Sequence, residues 1–202
     1  MKLMAVTDQS HSVRELASKI IKIKNKIDFV QIREKTKTVK EIIILLQYLE
    51  EGGVEKEKII LNDRLDIALL MDIPNVHFPE IGLPVKMVKE RFPHLTVGRS
   101  VHSYEGAKEA EAKGADYLLY GHCYETNSKR GKAPNGIEPL IEMKKHLSLP
   151  IYAIGGIKLD KVNELRELKA EGIAVMSGIF SAENPLAAAS QFYEVVRNEK
   201  QL

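Results

Sequence analysis

Strand-like and helix-like segments alternate eight times along this chain, and that repetition constrains the fold more than any other feature. A parallel strand, a crossover helix and the next parallel strand wind right-handed in nearly all cases, so the units can only stack side by side around one sheet. Eight of them predict a closed (β/α)8 TIM barrel, with a doubly wound open sheet as the alternative. At 202 residues the chain sits near the lower bound of about 200 for such a barrel. No linker interrupts the pattern, which predicts a single domain over residues 1–202.

The strand segments run from Leu3 to Asp8, Asp28 to Glu34, Lys58 to Asn62, Asn75 to Phe78, Thr96 to Ser100, Asp116 to Tyr120, Pro150 to Ile154 and Gly172 to Met176. Several are continuous apolar runs, such as Tyr117-Leu118-Leu119-Tyr120, as expected when both faces of a parallel sheet are covered. Apolar residues at helical spacing predict helices over 13–25, 39–51, 65–71, 85–91, 104–113, 138–147, 160–170 and 185–197. Thr38 with Glu41 three residues on has the form of a capping box.

Composition removes several function classes. Charged residues make up 29% of the chain and nearly cancel to +2, which argues against nucleic acid as a partner. No apolar stretch approaches the ~18–20 residues of a membrane span. The start, MKLMAVTD, reads as a strand and not as a signal peptide, so no membrane partner and a cytoplasmic location are expected. The Lys-rich run from Lys19 to Lys26 reads as a solvated helix face. Cys123 is the only cysteine, which rules out an intrachain disulfide and a cysteine metal cluster; it is expected to pack in the core.

A barrel binds its ligands at the carboxyl ends of its strands, and the polar residues of this chain collect there. His122 lies just past the sixth strand, where an imidazole can move a proton near neutral pH, and is the candidate catalytic residue. The long connection 123–136 that follows is polar and contains Thr126, Ser128, Lys129, Arg130 and Lys132; its length and place suggest a lid. The second strand ends with Gln31, Arg33 and Lys35 on one face, and an Arg in such a place needs an anion, either a ligand or Asp8 or Glu34. Asn62-Asp63-Arg64 ends the third strand, and Ser100 and His102 the fifth. Gly155-Gly156 and Ser177-Gly178 end the seventh and eighth, the place where barrels often hold phosphate on backbone N–H groups. His77, His94 and His102 show no metal-ligand spacing, and His11 and His146 read as surface residues.

QIREK at 31–35, NDR at 62–64, GRSVHS at 98–103, AIGGI at 153–157 and AVMSGIF at 174–180 stand in the order found in the thiamin phosphate synthase superfamily, which the chain resembles over nearly its whole length. That resemblance implies a small (β/α)8 barrel. Two departures point within it. Where synthases have Gly-Pro-x-Phe-x-Thr-x-Thr-Lys after the sixth strand, this chain reads GHCYETNSK, so His122 replaces the proline. Where synthases carry an acidic magnesium ligand after the fourth strand, it reads His77-Phe78-Pro79-Glu80-Ile81-Gly82, with Glu80 out of register. Both make it similar to the thiazole tautomerases of the TenI family. The resemblance then implies an isomerase without metal or other cofactor, aromatising a carboxythiazole phosphate tautomer by proton transfer through His122.

It further implies that Gly155, Gly156, Met176, Ser177 and Gly178 hold the phosphate of a small-molecule thiazole phosphate. Thr126 and Ser128 would contact the thiazole, Lys129 would match the synthase lysine, and Arg33 and Lys35 would match pyrophosphate-binding positions. Asn62, Ser100 and His102 would complete the substrate pocket. Two other readings remain open. One is a thiamin phosphate synthase joining hydroxymethylpyrimidine pyrophosphate to thiazole phosphate, which the retained Arg33, Lys35, Asn62, Asp63 and Lys129 favour. The other is a non-catalytic ligand-sensing protein. A homodimer is possible if Ile20, Ile21 and Ile23 face outward.

Overall fold

The structure, a computed structural model, describes residues 1–126, 129 and 131–198. Eight parallel strands close into a barrel in sequence order: β1 (Lys2–Val6), β2 (Phe29–Ile32), β3 (Ile59–Asn62), β4 (Asn75–Phe78), β5 (Thr96–Val101), β6 (Tyr117–Gly121), β7 (Ile151–Ile154) and β8 (Gly172–Val175). β8 pairs with β1, with Met4 beside Ala174, so no sheet edge is left open. The closed (β/α)8 reading holds and the open sheet does not.

The helices around the barrel are α1 (Val13–Ile23), α2 (Val39–Glu51), α3 (Leu65–Leu70), α4 (Val85–Arg91), α5 (Tyr104–Ala112), α6 (Glu138–His146), α7 (Val162–Glu167), α8 (Ser177–Phe180) and α9 (Pro185–Arg197). Thr38 caps α2 with the reciprocal Glu41 contact, and Ser12 with Glu15 makes a second capping box on α1. The segment expected as one helix over 160–170 is shorter. A 3-10 turn at 159–161 leads into α7, and Lys169 at φ 58 closes its end. α8 was not expected, because a single turn is too short to show a period. Ile20 and Ile23 are buried against the barrel and Ile21 packs on the same core, so they do not form an outward dimer face.

Side chains alternate between the helix layer and the barrel interior. Met4, Val6, Ile60, Tyr117, Leu119, Tyr152 and Ala174 fill the interior. Two of them are large because facing positions are glycine: a Cβ on Gly98 would sit 2.0 Å from Tyr117 Cζ, and one on Gly172 would sit 2.7 Å from Tyr152 Cε1. Below them, carboxylates latch neighbouring strands. Asp28 accepts the Leu3 amide at 2.8 Å, and Asp116 accepts the Val97 amide at 2.7 Å while pairing with Lys89. The floor is therefore packed and bonded, which leaves ligand space only at the opposite end.

Candidate active site

A cavity of about 710 Å³ opens at the carboxyl ends of the strands. Arg33 and Lys35 reach it after β2, Asn62 from β3, Ser100 and His102 from β5, and His122, Thr126 and Lys129 after β6. Gly155 and Gly156 line it after β7, and Met176, Ser177 and Gly178 after β8. Of the predicted site residues only Ser128 lies outside the described residues. The volume suits one drug-sized ligand or two small ones.

Gln31 belongs to the site as well. It is almost fully buried on β2, and its Nε2 donates to Asn62 Oδ1 at 2.9 Å. Its Oε1 is buried with no hydrogen-bond partner. A buried acceptor left open is costly unless a ligand pairs it. With Asn62 Oδ1 engaged, the pair offers the pocket an acceptor from Gln31 and an amide donor from Asn62. The inward alternation of Gln31 with Arg33 was the signal available for it in the sequence.

Three cations share the mouth. Arg33 has no carboxylate within ion-pair distance among the described residues. Glu34, one of its expected partners, pairs with Lys37 at 2.7 Å, and Asp8, the other, accepts from Ser181 at 2.7 Å. Burial lowers the Arg33 pKa, with Glu34 opposing. Burial also lowers that of Lys129, helped by the charges of Lys132 and Arg33, so the β2 and β6 cations feel one another across the pocket. Like charges brought together over a desolvated cleft attract an anion.

His122 is buried beneath the mouth. Its Nδ1 has no partner, and Nε2 lies a long 3.4 Å from the Lys132 carbonyl. Its backbone is held more firmly than its ring. Asn135 donates its amide to His122 O and its side chain to Gly121 O, both at 2.9 Å, and His102 Nδ1 bonds the same Gly121 carbonyl. Tyr120 Oη donates to Gly136 O at 3.0 Å. The far end of the 123–136 connection is therefore pinned to β6. Cys123 points into the helix layer, where burial pushes its thiol up to about 12 and leaves it inert as a nucleophile.

The glycines after β7 have a tighter reason than phosphate access. Gly155 at φ 101 passes so close to His122 that a Cβ would lie 2.3 Å from the histidine Cβ. A Cβ on Gly156, at φ 68, would lie 2.3 Å from Glu125 O. They seat the His122 segment while lining the pocket. After β8, α8 is tied at its far end: His11 Nε2 lies 3.0 Å and Lys19 Nζ 2.9 Å from Phe180 O. His11 is thus not a free surface residue, nor Lys19 a purely solvated one.

The resemblance to synthases implies a divalent cation, for which the pocket offers the carboxylates of Asp8 and Glu80, enough for an ion that takes its other ligands from water and a substrate pyrophosphate. Among the described residues no cluster of three His, Cys, Asp or Glu could hold a metal ion. Glu80 lines the pocket, but Asp63 does not. Arg99 bonds the Glu80 and Leu83 carbonyls at 2.6 and 3.0 Å, and the charges of Glu80 and Asp63 both act on it.

The thiamine monophosphate synthase family model matches residues 3–179. A thiamine-phosphate synthase of Methanococcus maripaludis is 33% identical over 198 residues, covering 98% of this chain and 95% of the relative. A putative thiamine-phosphate synthase 2 of Aquifex aeolicus is 34% identical over 178 residues, covering 87% and 96%. The thiamine phosphate pyrophosphorylase structure from Pyrococcus furiosus superposes with a TM-score of 0.81 at 30% identity, covering 96% and 95%. These relatives are named as synthases, which are transferases, and this corrects the assignment of an isomerase. The pocket retains Arg33, Lys35 and Lys129, the cations that the resemblance matched to the synthase lysine and the pyrophosphate-binding positions. The chain belongs to the thiamine monophosphate synthase family.

Proposed function

We propose that this protein joins an aminopyrimidine carrying a methylene pyrophosphate to a thiazole phosphate. The observation that supports the proposal is that one cavity is lined by two separate sets of groups suited to anions. Side-chain cations Arg33, Lys35 and Lys129 form one, and the backbone around Gly156, Ser177 and Gly178 forms the other. A reaction of two phosphorylated substrates uses both. The open Gln31 acceptor beside the Asn62 amide suits the amine and ring nitrogen of an aminopyrimidine edge.

In this reading the thiazole nitrogen donates its lone pair to the pyrimidine methylene carbon. The carbon–oxygen bond breaks, and its electron pair leaves with pyrophosphate. The nitrogen carries no proton, so no general base is required. The work falls on binding two substrates in line and on stabilising the charge that grows on the leaving group, which Arg33, Lys35 and Lys129 supply. Ser100, His102, Thr126 and Met176 shape the space between the anion sets, and His122 supports the pocket wall.

The test is product formation from hydroxymethylpyrimidine pyrophosphate and thiazole phosphate, separated by chromatography. Formation of thiamin phosphate, with Gln31→Ala raising the KM of the pyrimidine substrate about 10- to 100-fold, is expected. No product at concentrations where both substrates bind overturns the reading.

A further inference from the structure

His77 lies on β4 inside the barrel and is fully buried. It stands between two hydroxyls. Its Nδ1 lies 3.2 Å from Tyr117 Oη on β6, and its Nε2 lies 2.7 Å from Ser100 Oγ on β5. Tyr117 is itself packed edge-on against Tyr152, with ring centroids 5.7 Å apart. Ser100 lines the pocket. A three-residue chain thus runs from the dry interior to the ligand space.

The direction of this chain follows from satisfying every proton. Burial and the Arg99 charge drive the His77 pKa down to about 3, so the ring is neutral and carries one N–H. Burial raises the Tyr117 pKa, so the phenol keeps its proton. Among the described residues, His77 Nδ1 is the one hydrogen-bond partner of that phenol. If Nδ1 carried the hydrogen, the phenol proton would point into apolar side chains with no acceptor, at a cost of about 1–3 kcal/mol. Nδ1 therefore accepts from Tyr117, and the ring hydrogen sits on Nε2. Nε2 then donates to Ser100 Oγ.

We infer that His77 is a positioning residue that sets Ser100 as a hydrogen-bond donor into the pocket, so that the ligand atom facing Ser100 is an acceptor. Ser100 Oγ already receives the histidine hydrogen, and its own hydrogen is turned toward the cavity. The site selects for a ring nitrogen or an oxyanion at that place and against an N–H. The ligand half of this inference rests on the proposed joining reaction; the hydrogen-bond direction does not.

The experiment is long-range nitrogen–proton NMR on the uniformly ¹⁵N-labelled protein, with the His77 signals assigned by their loss in His77→Gln. The expected result is a single Nε2–H tautomer that does not titrate between pH 8 and pH 5. An Nδ1–H tautomer, a mixture of the two, or an imidazolium in that range overturns the inference, and none of these readings needs a substrate. A second measurement titrates thiamin phosphate into the intact protein and into Ser100→Ala. Loss of about five- to tenfold in affinity is expected for one hydrogen bond. Equal affinity in the two overturns the ligand half. Absence of binding to the unaltered protein would count against the joining reaction, while the tautomer still decides the hydrogen-bond direction.

Discussion

The floor and the mouth of the barrel are built from inward-facing positions of the same eight strands, yet they obey opposite rules. At the floor, Tyr117 and Tyr152 fill the gaps left by Gly98 and Gly172, and Asp28 and Asp116 tie adjacent strands together. At the mouth, Gln31 Oε1 and His122 Nδ1 have no partner, and Arg33 makes no ion pair among the described residues. A folded protein gains nothing by itself from such open groups. Their concentration in one cavity separates what holds the fold from what meets a ligand, and substitutions in the two regions should have opposite signatures.

The largest effect is expected at the mouth. Arg33→Ala should lower kcat/KM of the joining reaction by about 10²–10³-fold, the size seen when one preorganised charge-stabilising group is removed. Its unfolding midpoint in urea should stay the same or rise, because a desolvated charge is lost. A clear fall in stability with unchanged kcat/KM would break the comparison.

At the floor the signature reverses. Gly98→Ala inserts a methyl 2.0 Å from Tyr117 Cζ. It should cost about 1–3 kcal/mol of stability by overpacking, read from urea unfolding. Adding Tyr117→Leu should recover part of that loss, and failure to recover any of it would place the strain elsewhere.

His77 gives the floor a pH dependence. Its folded pKa is lowered to about 3, below the ordinary value of 6.5, so the unfolded chain binds a proton that the folded one refuses. Its contribution is complete above pH 6.5 and is lost as pH falls from there toward 3, at up to about 1.4 kcal/mol per pH unit. Stability measured from pH 7 to pH 4 should fall less steeply in His77→Gln than in the unaltered protein; parallel curves would show that His77 is not the group responsible.

The smallest effect belongs to neither region. Thr38→Ala removes the side-chain cap of α2, which accepts the Glu41 amide at 3.3 Å. About 1 kcal/mol of stability should be lost with kcat/KM unchanged. A change in kcat/KM would mean that the outer helices couple to the mouth more strongly than the strand-borne groups suggest.

The eight-fold alternation, the β4 and α4 boundaries and the Thr38 cap were all legible in the chain, because each depends on backbone periodicity or on residues a few positions apart. So was the collection of polar residues at strand ends, since a parallel barrel sends every strand's carboxyl end to one face. The reading of an isomerase failed because it weighed two local departures, His122 and the 77–82 segment, above the cations retained around the same pocket.

What the sequence determined by itself was the order of elements and which residues reach the mouth. Which atoms meet there was decided only by the tertiary structure. The Gln31–Asn62 amide pair, the Tyr117–His77–Ser100 chain, the fit of Tyr117 over Gly98 and the hold of Asn135 on the His122 backbone all join different strands or loops. Their partners are set by strand register and barrel closure, which bring together residues 13 to 40 positions apart, and no local pattern carries that information.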